Sequence, residues 1–250
     1  MDLLEAIELR CSRRSYLPEA LEGGSVEVLR GLIEEYNQVD GVDMRLVLDN
    51  GAAFAGLRRS YGMFSGVQNY IGLIDKAEDV AGRPKMRPSI STEKMGYYGE
   101  LLVLNATALG LGTCWVAGSF DRKLCPFTLE PGEEVTCCIT VGAVADDLTS
   151  KERFIRGIVH RKSKSAEEML AGDAPFPDWV MGGMRAVQKA PSAANRQPVR
   201  FTYRDGQVSA TVAGSPDYMS AFDLGIAKLH FEIGAGRGAW EFGYGAAFAC

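Results

Sequence analysis

The chain has 250 residues, 46% of them hydrophobic, 9% aromatic and 24% charged, an ordinary balance for a soluble globular protein. A formal net charge of -5 argues against a general nucleic-acid-binding role; no apolar run is long enough to span a membrane, and the acidic, amphipathic start, Met1 to Arg10, lacks the basic opening of a secretory signal. Six cysteines (Cys11, Cys114, Cys125, Cys137, Cys138, Cys250) show neither a paired framework nor metal-ligand spacing, and two histidines, His160 and His230, are too few for a His-based metal site or a Ser-His triad, so the chain reads as cytoplasmic, metal-free and with mostly buried free thiols.

In chain order, apolar spacing predicts a first helix over Leu3 to Arg10 and a second over Val26 to Tyr36, with Val26, Leu29, Leu32 and Ile33 on one face. Met44 to Leu48 and Tyr70 to Ile74 read as strands. Lys94 to Leu111 reads as a long helix, apolar enough to be buried on most sides, with Gly110-Leu111-Gly112 as its stop. Thr113 to Ala117 and Val135 to Val144 are strands, Glu152 to Lys164 a polar, basic connector, and Ala166 to Leu170 a short helix. A helix over Trp179 to Lys189 leads to a strand, Val199 to Tyr203. That strand forms a hairpin with Val208 to Val212 around Arg204-Asp205-Gly206. The last helix covers Asp223 to Gly234.

The most informative stretch is Ala190-Pro191-Ser192-Ala193-Ala194-Asn195-Arg196-Gln197-Pro198. Pro191 ends the preceding helix, because proline disfavours helical geometry in the residue before it. Ser192, Asn195 and Gln197 then offer donors and acceptors suited to the edge of a planar heterocycle. The same residues also suit an ordinary helix-to-strand turn. A weak internal repeat surrounds this stretch. The helix, loop and strand at Leu29-Arg30 can be laid over those at Met184-Arg185 without a gap, and Gly99, Gly110 and Gly112 over Gly225, Gly236 and Gly238. Trp115 and Trp240 follow in each copy. Chance matches in a common helix-strand-helix order compete with duplication, which is the favoured reading. Tyr36 to Val42 lacks the Pro-Ser and Asn-x-Gln-Pro pattern, so one of two equivalent sites would survive.

Four pieces combine: Ser12-Arg13-Arg14-Ser15-Tyr16, Gly110-Leu111-Gly112-Thr113-Cys114-Trp115, the basic Arg161-Lys162-Ser163-Lys164 before a short helix, and Ala190 to Pro198. In that order, on those elements, the chain resembles the flavin-dependent nitroreductase family, and most of all the branch in which one longer chain mimics the usual homodimer. The resemblance implies an α+β fold, with a central, mostly antiparallel sheet flanked by helices and two pseudo-symmetric halves. The N-terminal half would be 1-165, and the C-terminal half, 166-250, would supply the flavin loop. A monomer acting as a pseudo-dimer, with room for further self-association, is expected.

The resemblance further implies FMN as cofactor and NAD(P)H as transient electron donor. A small-molecule electron acceptor (nitroaromatic, quinone or similar) would follow, with no nucleic acid and no membrane as partner. Arg13, with Arg161, Lys162 and Lys164, would hold the FMN phosphate, since arginine offers a planar fork to its oxygens; a solvated charge run is the competing reading of 161-164. Arg14 and Ser15 would face the ribityl chain and the pyrimidine end of the ring. Pro191, Ser192, Ala193, Asn195 and Gln197 would contact the ring edge. Val116, Ala117 and Gly118, just after the long helix and its strand, would approach N5, with Trp115 filling core volume. No side chain need act as nucleophile or general acid, because the flavin carries the chemistry. The family places a basic residue two positions after the serine, where this chain has Leu17; either Arg14 or Arg59 takes that role, or the reduced flavin is less stabilised. The segment Arg58-Arg59-Ser60-Tyr61 echoes Arg13 to Tyr16, and a substrate pocket is expected partly from Arg58 to Gly66 and Met86 to Tyr98. The departure at Leu17 also motivates an alternative, an FMN-binding store or sensor without turnover. An α+β domain with no cofactor is the third reading.

Overall fold

The computed structural model describes residues 1-39, 41-56, 61-76, 89-159 and 163-250. Its helices are α1 (Leu3–Leu9), α2 (Gly23–Tyr36), α3 (Ile90–Ala108), α4 (Ser150–Val159), α5 (Ala166–Met169), α6 (Asp178–Val187) and α7 (Tyr218–Ala235). Its strands are β1 (Met44–Val47), β2 (Asn69–Lys76), β3 (Gly112–Val116), β4 (Glu133–Gly142), β5 (Leu170–Gly172), β6 (Val199–Arg204), β7 (Gln207–Val212), β8 (Ala239–Trp240) and β9 (Ala247–Ala249). The chain divides into two compact units. One holds Met1, Leu9–Ala81 and Leu102–Val159; the other holds Asp2–Glu8, Gly82–Leu101 and His160–Cys250.

The first unit is built on a four-stranded antiparallel sheet in the order β1-β2-β4-β3. β4 lies between two neighbours, and its last eight residues, Val135 to Gly142, are all buried. A strand covered on both faces reads as a continuous apolar run rather than an alternation. Phe54 anchors the core below it, touching Phe64, Tyr70 and Phe120 with ring centroids 5.2–5.8 Å apart. Each such side chain contributes roughly 1.5–3 kcal/mol on burial. α2 buries Leu29, Ile33 and Tyr36, one per turn, and Leu29 packs on Ala106 and Val141. Ser12 bridges Thr113 in parallel, and the Arg13 amide donates to the Thr113 carbonyl at 2.8 Å. Gly112 permits this approach, because a Cβ there would lie 2.9 Å from Arg13 Cγ.

The second unit holds a five-stranded sheet in the order β5-β6-β7-β9-β8, with β5 and β6 parallel and the other pairs antiparallel. α7 buries twelve successive residues, Ser220 to Phe231. A helix apolar on all sides belongs in a core. α6 meets it where two glycines, Gly182 and Gly234, let the backbones approach: a Cβ on Gly182 would sit 2.5 Å from the Gly234 carbonyl oxygen. Phe201 stacks on Phe231 at 5.2 Å, and Trp240 and Phe248 complete the cluster. Two buried pairs cross this unit. Lys228 Nζ donates to Glu93 at 2.6 Å, and to the carbonyls of Glu241 and Gly243. His230 bridges Glu100 and the Ala186 carbonyl.

The expected α+β architecture is present and mostly antiparallel, with its strands distributed over two sheets. The hairpin turns where its sequence places it, with Asp205 and Gly206 both at positive φ (50° and 79°), the pair that matches strand twist. The connector expected over Glu152 to Lys164 is corrected: its first part is α4. Thr149 caps that helix, its hydroxyl accepting the Glu152 amide while the Glu152 carboxylate accepts the Thr149 amide. That reciprocal cap outweighs the polar composition that suggested a loop. Leu170 leaves the short helix to pair with Phe201. The final helix begins at Tyr218, five residues before the expected start, because Asp217 and Ser220 form a capping box. No described helix is long and apolar enough to cross a membrane.

Candidate functional site

The stretch that follows α6 is an unusual loop. After Ala190, Pro191 and Ser192 run extended into one 3-10 turn, Ala193–Asn195. Ala194, Asn195 and Gln197 take φ near +50° (50°, 50° and 47°), a left-handed conformation that is uncommon outside glycine. Its supports come from behind. Ser192 Oγ accepts the Gln197 amide at 2.9 Å, closing the loop on itself. Gln197 Oε1 accepts the Lys164 amide at 2.8 Å, and Lys164 Nζ donates to the carbonyls of Arg196 and Gln197 at 2.9 and 2.7 Å. Gln188 Nε2 holds the Lys164 carbonyl in turn. Asp223 Oδ1, from α7, accepts the Ala193 amide at 2.9 Å. Lys164 therefore joins the predicted loop residues, as a clamp on loop carbonyls.

In the first unit, Arg13, Arg14 and Ser15 gather around Glu152. Its Oε1 accepts from Arg13 Nε at 3.1 Å and from the amides of Arg14 and Ser15 at 2.7 and 3.2 Å. Its Oε2 accepts from the Thr149 amide and hydroxyl at 2.8 and 3.0 Å. Burial by itself would push this carboxyl up; the amides of Arg14 and Thr149, the Arg13 guanidinium and the Thr149 hydroxyl outweigh it and bring it down to about 2. Arg13 also donates through Nη1 to the Ala145 carbonyl at 2.9 Å and through Nη2 to the Asp147 carbonyl at 3.2 Å. The arginine expected to lead phosphate binding thus uses three of its five N–H groups to hold Glu152 and the 145-147 backbone. Arg14 Nε is buried and makes no hydrogen bond. Ser15 Oγ meets Thr149 Oγ1 at 3.1 Å. At the far end of β3, Val116 is buried, Ala117 accepts Arg122 through its carbonyl, and Gly118 is exposed with open space beside it. Trp115 is half-buried, more open than a core residue. Arg161 and Lys162 lie outside the described residues, as do Arg58, Arg59 and Met86.

A family model described as "Putative TM nitroreductase" matches residues 2–235. The chain belongs to this nitroreductase family. A Thermotoga maritima protein with the same designation is similar over 99% of this chain and 92% of its own, with a TM-score of 0.64 and 22% identity, a likeness of fold. A Desulfovibrio desulfuricans nitroreductase solved in complex with FMN is 22% identical, covering 71% of this chain and 99% of that one, with a TM-score of 0.46. An FMN-dependent nitroreductase of Clostridium difficile is 17% identical, covering 63% and 98%, with a TM-score of 0.43. No curated protein matches.

Two residues of this nitroreductase-family chain escaped the sequence reading, and both are carboxylates. Glu152 had a signal, the Thr149-Ser150-Lys151-Glu152 capping box. Asp223 had none, since its position opposite Ala193 depends on how α7 packs. All six cysteines are free, with Cys114, Cys137 and Cys138 buried, Cys11 and Cys125 half-buried and Cys250 exposed.

Proposed function

We propose that the chain is an FMN-dependent oxidoreductase that takes hydride from NAD(P)H and passes electrons to a nitroaromatic, quinone or similar electron-poor acceptor. Family membership supports the reaction class. The observation that carries the cofactor is the loop. Three non-glycine residues are held in the left-handed region by Lys164, Asp223 and Ser192, and strain of this kind, costing of order 1–3 kcal/mol per residue, persists where a site requires it. In this reading Asn195 and the backbone around Ala193 meet the pyrimidine edge of the ring, while Ser192 and Gln197 shape the loop.

The donor set fits an anionic cofactor. Arg14 carries a buried Nε without a partner, and a phosphate would satisfy it. We assign the phosphate to Arg13 and Arg14, with Arg13 also bonded to the Glu152 carboxylate that accepts the Arg14 amide. Val116 to Gly118, small and open at Gly118, suit close approach by the reactive edge of the ring. FMN, when bound, supplies the two-electron chemistry; the chain binds it, orients it and sets its electronics. We read the chain as a cytoplasmic monomer whose related halves stand in for a homodimer. Light scattering at the chain mass of 27.1 kDa checks this.

The deciding experiment is an absorption spectrum of the purified protein before and after anaerobic NAD(P)H. A yellow protein that bleaches supports the proposal; a colourless one that cannot be reconstituted with FMN ends it. Leu17 favours one second reading, a flavin store or sensor without turnover, because this chain places an apolar residue where the family carries a cation. Bound FMN that pyridine nucleotides never reduce would select it over the enzyme.

A further inference from the structure

We infer that Asp223 is a positioning residue of the flavin loop: its carboxylate, set behind Ala193, grips the loop and so controls how tightly the chain holds FMN. This rests on the role proposed for the loop, and the experiment below separates the two. Asp223 sits on α7, inside a run of buried residues, and is 3% exposed. Oδ1 accepts the Ala193 amide at 2.9 Å, at the start of the turn that carries the left-handed residues Ala194 and Asn195. Oδ2 is equally buried and has no hydrogen-bond partner among the described residues. A cavity of about 20 Å³ lies here, lined by Asp223 together with Ser192 and Gln197 of the loop and by apolar Met169, Val187 and Ala227.

A buried carboxylate is an expensive way to hold one amide. A neutral amide side chain of the same shape could accept the same hydrogen bond. The charge gives two things that asparagine cannot, a stronger bond to the amide and a switch. Burial pushes the Asp223 carboxyl up to about 7, against the Ala193 amide and Arg196, which pull it down, and with Asp217, which raises it further. Those two are the charged groups acting on Asp223 among the described residues, and Arg196 is engaged elsewhere, pairing with Asp217 at 3.0 Å. The carboxyl therefore changes charge in the neutral range. Above that range the anion grips the Ala193 amide; below it the neutral acid holds it weakly, and the loop relaxes.

The test is the FMN dissociation constant of the wild type and of Asp223→Asn from pH 5.5 to 8.5. The FMN phosphate itself titrates at about pH 6, but equally in both proteins, so the ratio of the two constants is the readout. The expected ratio is near one at the acid end and rises through neutrality until the variant binds about five- to tenfold more weakly. A ratio that is flat with pH overturns the inference, because a purely structural role for Asp223 would shift both ends alike. Hydrogen exchange of the Ala193 amide without flavin tests the grip alone. Faster exchange in Asp223→Asn at pH 8 supports it, and equal exchange overturns it. A wild type that binds no FMN at any pH would defeat the proposed function, while the amide exchange would still decide the grip.

Discussion

Glu152 and Asp223 carry the same functional group and are equally closed to solvent, 2% and 3% exposed, but Asp223 is packed more deeply, and they titrate in opposite directions. Glu152 meets five donors on two oxygens, three from the segment it steadies and two from Thr149. Asp223 meets one, and its second oxygen meets none. Deeper packing gives Asp223 the larger penalty for charge and a single donor to offset it, whereas the donors around Glu152 outweigh a smaller penalty. The saturated carboxylate acts as a fixed anion that locks Arg13 to Ser15. The unsaturated one is poised between two charge states beside a strained loop.

The comparison breaks most severely at Glu152. Glu152→Ala should cost about 3–5 kcal/mol, because it removes the partner of the buried Arg13 Nε and of three backbone amides, and urea denaturation reads it directly. An effect below 1 kcal/mol would mean the network is decorative. The two groups should also give opposite pH slopes. Glu152 has a folded value of about 2 against an ordinary 4.5, so its stabilisation is complete above pH 4.5 and drains away as pH falls toward 2. Asp223 has a folded value of about 7 against an ordinary 3.8, so the native state loses stability as pH rises between those values. Asp223→Asn should therefore stabilise the protein at pH 8 by about 2–4 kcal/mol and leave it nearly unchanged at pH 4. Equal gains at both pH values would contradict the assignment.

Smaller effects sharpen the picture at the loop's other support. Lys164→Met removes the donor to the Arg196 and Gln197 carbonyls and should cost about 1–2 kcal/mol in chemical denaturation, with a parallel loss of FMN affinity. Stability loss with FMN affinity unchanged would show that the clamp does not reach the site. The same contest of burial and hydrogen bonding runs among the thiols, with little effect on stability. The neighbouring Cys138 thiol brings Cys125 down to about 7, with Tyr70 and Arg122 acting the same way against its burial, whereas burial pushes Cys137 up to about 12. Cys125 should thus be alkylated with a half-point near neutrality while Cys137 stays inert; mass mapping of iodoacetamide adducts against pH checks both.

Local signals were legible where the chain answers to its near neighbours. Asp205-Gly206 fixed a hairpin, the proline after Ala190 ended a helix, and the apolar run of β4 marked a central strand. The polar run after Thr149 was misleading, since its capping pattern outranked its composition. The candidate loop could be read as amide-rich, but its left-handed residues and its clamps could not. Arg13 showed its charge in the sequence and hid where its donors go.

By itself the sequence determined most element types and the family, and it named candidate residues for a flavin site, because propensity, periodicity and capping act over a few residues. Only tertiary structure decided which buried charges are met by hydrogen bonds of the fold. Hydrogen-bond supply around a buried group is set by segments distant in the chain: Glu152 receives donors from Arg13 to Ser15, and Asp223 receives a single amide from Ala193. No local pattern encodes that count or the depth of packing, and the two together set the charge.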